Sequence, residues 1–224
     1  MPTLDRDGDV FLLNLGDDEN RFNPDWVGAV EALLDEVTAA PEPRALVTTA
    51  TGKIWSNGLD LEWMGANTDQ VAAFVPRVHA LFGRVLALPV PTIAAIGGHC
   101  FAAGAMLAVA HDFRVMRADR GFFCLPEVDI HIPFTPPMAA LIQARLSKRT
   151  AHEAMTTGRR YGGQDAAAAG IVDAAVAEDR VVAEAVERAA ALAPKHGPTL
   201  GAIKEGMYAD ALALLRDVTP VAFG

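Results

Sequence analysis

Cysteine is scarce in this chain: Cys100 and Cys124 are the only two among 224 residues. That argues against a disulfide framework and against a cysteine-based zinc site. The pair reads as two small buried hydrophobes of a reduced compartment. An excess of positive charge is lacking as well. Nineteen Lys and Arg stand against 28 Asp and Glu, a net charge of −9. This is the wrong sign for neutralising the phosphates of a duplex, so nucleic acid is not an expected partner. An anionic small molecule would have to be held by local donors rather than by the global field. Serine is limited to Ser56 and Ser147, and neither lies in a GxSxG elbow. A triad of Ser56 with His111 and Asp112 therefore has little behind it, and His111-Asp112 reads as the end of an apolar helix. Neither a GxGxxG dinucleotide fingerprint nor a GxxxxGK[ST] phosphate loop occurs.

Long uninterrupted hydrophobic runs are missing too. Val85 to Ala110 carries no charge, but Pro89, Pro91, Gly97, Gly98 and His99 break it. Backbone interrupted so often cannot face lipid, so the stretch is expected to be a helix end, a buried strand, a turn and a buried helix, not a membrane span. The N-terminus MPTLDRDGDV lacks the apolar core of a signal peptide. The C-terminal VAFG matches no lipidation or peroxisomal address. A cytoplasmic location is the expectation.

What is present is a large apolar content. Residues AVILMFWYC make up 51% of the chain and charged residues 21%, which fits one globular domain over residues 1–224 and excludes disorder. Residues 8–16 read as a strand paired in a hairpin with the segment before it. Asn23 followed by Pro24 predicts a helix start, with Val27, Val30, Leu34 and Val37 on its inner face and Pro41 and Pro43 beyond its end. Ala45–Thr49 and Thr92–Ile96 read as buried parallel strands. A long helix is predicted from Asp69 to Leu88, kinked or divided at Pro76. Ala103–Ala110 reads as an apolar helix, Phe113–Met116 and Gly121–Leu125 as strands, and Pro136–Leu146 as a helix. Further helices are predicted at 150–157, 164–169, 179–192 and 199–216. Strands alternating with helices imply an α/β fold with ligands near strand ends.

Two loops share one construction. Ile54-Trp55-Ser56-Asn57-Gly58-Leu59-Asp60-Leu61 and Ile96-Gly97-Gly98-His99-Cys100-Phe101-Ala102-Ala103-Gly104 each follow a buried strand and lead into a helix. Such places leave backbone N–H groups unpaired, and two of them from separate loops can converge on one oxyanion. On spacing alone, two ordinary tight turns fit equally well.

These segments resemble the signature stretches of the crotonase superfamily, the enoyl-CoA hydratases and isomerases. SNGLDL is similar to its first loop, IAAIGGHCFAAGAMLAVAHDFRVM to its second, PEVDIHIP to its third, and GRRYGGQDAAAAGIVD to a later segment. The order holds over about residues 8–190, and the resemblance is closest to the short Δ3,Δ2-enoyl-CoA isomerases of the plant peroxisomal type. It implies a crotonase-like ββα spiral, with a core over about 1–190 and a shortened helical segment over about 191–224. It implies trimers, or hexamers of two trimers, acting on acyl-CoA thioesters, with coenzyme A as part of the substrate and neither metal nor further cofactor.

By motif position the two oxyanion donors are the N–H groups of Leu59 and Ala103. Hydratases of the family carry two glutamates; here the first position is Met106 and only the second, Glu127, is a carboxylate. A lone carboxylate suits a 1,3-proton shift in a site that excludes water, and it implies isomerisation of 3-enoyl-CoA to trans-2-enoyl-CoA in fatty-acid β-oxidation. Hydration, or another reaction of the family, and a non-catalytic acyl-CoA-binding relative are the alternatives. Burial beside Leu125 and Pro126 should raise the Glu127 pKa. Ser56, Asn57, Gly58, Leu59, Asp60, Leu61, Ala103 and Met106 are expected to line the substrate, with Trp63, Met64 and residues near Phe134 along the acyl channel. Lys53 is a candidate for a phosphate, Glu62 reads as a solvated helix face, and Asp129 is expected to point elsewhere.

Overall fold

The computed structural model describes residues 1–220; the last four residues of the expected C-terminal segment, 221–224, lie outside the described residues. Thr3–Asp7 (β1) and Val10–Asn14 (β2) form the expected antiparallel hairpin, turning at Gly8 with φ +56°. Four turns of one pattern follow, in which a strand joins a large sheet, a shorter strand leaves it, and a helix returns. The first turn runs from β2 through Arg21–Phe22 (β3) to Pro24–Ala39 (α1). The second runs through Ala45–Thr49 (β4), Ile54–Ser56 (β5) and Gly58–Leu59 (β6) to Leu61–Ala66 (α2) and Thr68–Leu86 (α3). The third is Thr92–Ile96 (β7), His99–Phe101 (β8) and Ala103–Ala110 (α4), and the fourth is Phe113–Arg117 (β9), Phe123–Cys124 (β10) and Pro136–Arg145 (α5). Lys148–Thr157 (α6), Gly163–Ala168 (α7), Ala174–Val176 (β11), Val181–Leu192 (α8), Pro198–Met207 (α9) and Ala209–Leu215 (α10) complete the chain.

The large sheet has the order β1-β2-β4-β7-β9-β11, all parallel beyond the first hairpin. The short strands form a parallel sheet β10-β8-β5 and a pair β3-β6. Alternation along each strand divides the large sheet into two faces. Val10, Ala45, Val47, Ile93, Ala95 and Val115 pack against Val181, Ala185 and Ala189 of α8. Phe11, Leu13, Leu46, Ala94, Ile96 and Met116 face the main core with α1, α3 and α4. Strands buried on both faces read as continuous apolar runs, which is why β4 and β7 were legible.

The elements follow their signals with three corrections. The Asn23 side chain accepts the Trp26 N–H at 3.0 Å, and Val27, Val30, Leu34 and Val37 are buried together with Trp26. The α3 helix continues through Pro76 instead of dividing there: Pro76 is buried with Phe74, Val75 and Val78, and that packing outweighs the one lost hydrogen bond. The single helix expected at 199–216 is two, because Tyr208 leaves helical geometry at φ −117°, ψ 20° and closes α9. Gly121–Leu125 shrinks to the two residues of β10. Strand β11 and the two- and three-residue strands β3, β6 and β8 carry too little pattern to be read from sequence. Among the described residues, no helix is long and apolar enough to cross a membrane.

Candidate active site

The loop after β5 is clamped from below. Ser56 Oγ donates to the Asn20 carbonyl at 2.8 Å and accepts the Gly58 N–H at 3.1 Å. Asn20 in turn donates to the carbonyls of Ile54 and Trp55, each at 3.1 Å. These bonds leave no role for Ser56 as a nucleophile. Asp60 caps α2 by accepting the Trp63 N–H at 3.0 Å. Ser56, Gly58 and Asp60 thus build the loop, whereas Asn57, Leu59 and Leu61 line a channel of about 500 Å³ beside it. Leu59 pairs with Phe22, and the neighbouring Asp60 N–H donates to the Phe22 carbonyl at 3.0 Å. In a parallel ladder alternate N–H groups point to opposite sides, so the Leu59 N–H is turned away from β3.

The second loop meets the first at van der Waals contact. Gly58 has φ +81°, and a Cβ there would lie 2.6 Å from the Ala103 nitrogen. Only glycine permits that approach. Gly104 fits against Ser56 in the same way, its absent Cβ standing 2.6 Å from the Ser56 Cβ. Between them Ala102 holds φ +52°, ψ −126°, a conformation that L-residues avoid. Its N–H donates to the Cys124 carbonyl and its carbonyl accepts the Met106 N–H, both at 3.0 Å. No side chain caps α4. The Ala103 N–H is therefore bare at the positive end of a buried helix, on the channel wall.

Glu127 lies in the turn after β10, which the Ile132 N–H closes onto the Glu127 carbonyl at 3.0 Å. It is 6% exposed, and its Oε2 is buried without a hydrogen-bond partner. Burial pushes its pKa up to about 7, against a smaller lowering by its own backbone N–H. Among the described residues it is the one carboxylate on the channel wall, which also carries the buried, apolar Met106 of α4. Asn57, Leu59, Leu61, Ala103, Met106 and Glu127 are thus brought together on one channel. Toward the starts of β5 and β8 its wall is Arg21, Ile54, His99 and Phe101; toward α5 it is Ile130, Ile132, Pro133 and Met138.

The expected acyl lining is corrected in part. Trp63 packs edge-on against Phe74 at 5.0 Å and lies off the channel, as does Met64. Near Phe134, Ile132 and Pro133 do line the channel, while Phe134 itself lies with Met155 on an adjoining groove of about 520 Å³ that shares Glu127, Ile132 and Pro133 with it. Glu62 is exposed on α2. Asp129 points at Gly158, where an added Cβ would meet its Oδ2 at 2.4 Å. Both cysteines are free and buried. Among the described residues no group of three His, Cys, Asp or Glu is placed to hold a metal ion. The sequence reading missed Arg21, His99, Phe101 and Met138. The alternation His99-Cys100-Phe101, out-in-out, was an available signal for two of them. Nothing in the sequence signals the strained backbone of Ala102, because alanine is not a residue expected there.

Four ββα turns with two strand-end loops touching over a single channel define a protein of the crotonase fold class. The mycobacterial enoyl-CoA isomerase from Mycobacterium tuberculosis superposes with a TM-score of 0.88 at 25% identity, over 97% of this chain and 95% of that one. The human mitochondrial Δ3,Δ2-enoyl-CoA isomerase shares the fold at a TM-score of 0.87 and 22% identity, over 96% of this chain and 85% of that one. Residues 8–218 match the family described as enoyl-CoA hydratase/isomerase. The chain is 38% identical to the peroxisomal enoyl-CoA delta isomerase 2 of Arabidopsis thaliana, over 96% of this chain and 95% of that protein. This chain belongs to the enoyl-CoA hydratase/isomerase family.

Proposed function

We propose that this protein isomerises 3-enoyl-CoA to trans-2-enoyl-CoA in fatty-acid β-oxidation, with Glu127 as its one acid–base group. The observation that carries the reading is the pairing of a lone, buried carboxylate, its Oε2 without a hydrogen-bond partner, with the apolar Met106 on the same channel. The thioester carbonyl accepts from the Leu59 and Ala103 N–H groups. Glu127 removes a proton from C2, the negative charge spreads onto the carbonyl oxygen where the two donors stabilise it, and the same carboxyl returns the proton to C4. A pKa of about 7 lets one group act in both directions near neutrality. Hydration needs a second group to activate water, and Met106 stands where that group would be. The proton shift itself calls for neither metal nor cofactor beyond the coenzyme A of the substrate. The names of the Arabidopsis relatives support the same activity. By resemblance the working form is a trimer or a hexamer.

The test is incubation with 3-hexenoyl-CoA, reading the absorbance of the conjugated 2-enoyl thioester. Hydration of crotonyl-CoA should be slower by at least roughly 10²-fold, for want of a second base. Hydration as fast as isomerisation would make the protein a hydratase. Binding of the thioester with neither reaction would make it a non-catalytic relative.

A further inference from the structure

One buried imidazole takes no part in the proton shift. His79 lies on the inner face of α3 with Val75, Val78 and Phe82, and none of it reaches solvent. Burial holds its pKa down at about 4, so the ring is neutral. Its Nε2 is 2.9 Å from Thr135 Oγ1, and its Nδ1 is buried with no hydrogen-bond partner. A neutral imidazole carries one N–H. Placed on Nε2, that donor has a partner and only a lone pair on Nδ1 goes unmet. Placed on Nδ1, it would be a buried donor with nothing to bond. Nε2–H therefore donates to Thr135. An apolar side chain here would spare the core an unpaired polar atom, so the imidazole stands at a cost in stability.

The partner in that bond ends the segment that carries Glu127. From Leu125 to Phe134 the hydrogen bonds among the described residues are all internal. The Asp129 and Ile130 N–H groups donate to the Pro126 carbonyl at 2.9 and 3.1 Å, and Ile132 donates to Glu127. Just before the segment, the Cys124 carbonyl accepts the Ala102 N–H of the second loop. Just after it, Thr135 caps α5, its Oγ1 accepting the Met138 N–H at 3.5 Å. Val128, Asp129, Ile130 and His131 are exposed at the tip between. The base thus hangs between two bonds, one to the loop that presents the Ala103 N–H and one to His79.

We propose that His79 is a positioning residue for the isomerisation: through Thr135 it fixes where the Glu127 segment rejoins the fold, and so sets the carboxyl against the carbons it serves. The proposal rests on the reading of Glu127 as the base. A reacting group displaced by about 1 Å can lose about 10²-fold in rate. The Leu59 and Ala103 donors lie on other elements, so binding of the thioester does not depend on this bond.

The experiment breaks the bond from each side, with His79→Leu and Thr135→Val, and keeps it with His79→Gln and Thr135→Ser. On 3-hexenoyl-CoA, His79→Leu should lower kcat by roughly 10–10²-fold and leave KM within about twofold. Thr135→Val also loses the cap of α5 and should be slower still. The double variant His79→Leu/Thr135→Val should match Thr135→Val, because one bond cannot be lost twice. His79→Gln, whose amide reaches as far as Nε2, and Thr135→Ser should recover most of the rate. A kcat within twofold in His79→Leu, equal losses in His79→Leu and His79→Gln, or losses that multiply in the double variant overturn the proposal. Infrared titration of the Glu127 carboxyl, identified by its absence in Glu127→Gln, needs no turnover. Its midpoint of about 7 should move toward 4.5 in His79→Leu, as the loosened carboxyl meets water, and stay in place in His79→Gln. An unmoved midpoint overturns the proposal. A moved midpoint in a protein that isomerises nothing supports the anchor and refutes only the reaction assigned to Glu127. If His79→Leu does not fold, Thr135→Val against Thr135→Ser gives the same readouts.

Discussion

At its N-terminal end α4 presents a bare Ala103 N–H, follows the strained Ala102, and shares a channel wall with Glu127, whose Oε2 has no hydrogen-bond partner. At its C-terminal end the polar groups are saturated. His111 bonds the Leu107 carbonyl and Thr48 Oγ1, each at 2.8 Å, and burial drives its pKa down to about 3, so it is neutral. Arg145 donates to the carbonyls of Val109, His111 and Asp112, and Arg114 to those of His111 and Ile171. Asp112 accepts from the Thr92 N–H and, at 2.7 Å, from Lys204, which α9 buries against the carbonyls of Leu88 and Val90. Paired guanidinium and ammonium groups satisfy the last carbonyls of the helix and complement its dipole. The helix is thus fixed at one end by groups that have spent their bonds, and open at the other, where groups keep theirs for a ligand. Buried polar atoms left unpaired cost stability, and that cost is concentrated where a thioester would relieve it.

The sharpest way to break this contrast is Glu127→Gln. It keeps size and removes the base, so kcat should fall by at least roughly 10³-fold; more than a tenth of the activity surviving would remove Glu127 from the mechanism. The same variant tests the cost of the open end. The carboxyl has an ordinary pKa of 4.5 and about 7 in the folded protein. A raised value means that the folded state holds the proton more tightly, so stability is highest below about 4.5 and is lost as pH rises through 7. Glutamine does not titrate. At pH 8 the variant should be more stable by roughly 3 kcal/mol, and the gain should vanish near pH 4.5 in urea titrations. In the unaltered protein kcat/KM should fall about tenfold per pH unit below 7, because the base must be deprotonated.

Ala103→Pro deletes one donor at the open end and should lower kcat by roughly 10²–10³-fold, whereas Ala103→Gly keeps the N–H and should cost little. Proline is tolerated in the first turn of a helix, and circular dichroism on both variants checks that it is here. Equal activity in two folded variants would take this amide out of the oxyanion hole. At the saturated end the expected loss is of stability, not of rate. Lys204→Met takes the ammonium partner from the partly buried Asp112 and leaves the Leu88 and Val90 carbonyls without their donor, which should cost up to about 3 kcal/mol in denaturant unfolding. The folded fraction should keep its kcat within about twofold. A rate collapse there would show that the two ends are not separable.

The same contrast explains what was legible in the sequence. Strands β4 and β7 and helix α4 were read to the residue, since a fully buried element is an apolar run ended by Gly, Pro or polar residues. Asn23 and Pro24 announced α1, Pro136 the start of α5, and the apolar run of residues 10–15 the hairpin. The order of the four motif segments carried the crotonase fold and brought Leu59, Ala103, Met106 and Glu127 to one channel. What periodicity did not carry was contact made through space: the division of Ser56, Gly58 and Asp60 from the channel wall, the displacement of Trp63 onto Phe74, and the adjoining groove that takes Phe134. Helix breaks at Tyr208, and their absence at Pro76, depend on tertiary packing that local propensity does not contain.

The smallest expected effect falls on the residue between the two loops. Ala102 holds φ +52°, ψ −126°, where its Cβ makes the backbone unfavourable by about 1–3 kcal/mol. Glycine adopts these angles without that strain, but loses roughly 0.4–1 kcal/mol more conformational entropy on folding. The strain is the larger quantity, so Ala102→Gly should stabilise the protein, by about 1 kcal/mol at the middle of the range, in urea titrations. The hydrogen bonds that fix the turn, from the Ala102 N–H to Cys124 and from Met106 to the Ala102 carbonyl, are made by the backbone and survive the change. The Ala103 N–H therefore keeps its aim, and kcat should stay within about twofold. An Ala102→Gly variant that is more stable yet much slower would assign a catalytic purpose to the methyl group, which a Cβ added at Gly58 would approach to 3.1 Å: holding the two donor loops at a fixed spacing. A variant that is less stable would instead mean that the main chain at Ala102 is relaxed, and that the strain at the open end of α4 lies in Glu127 alone.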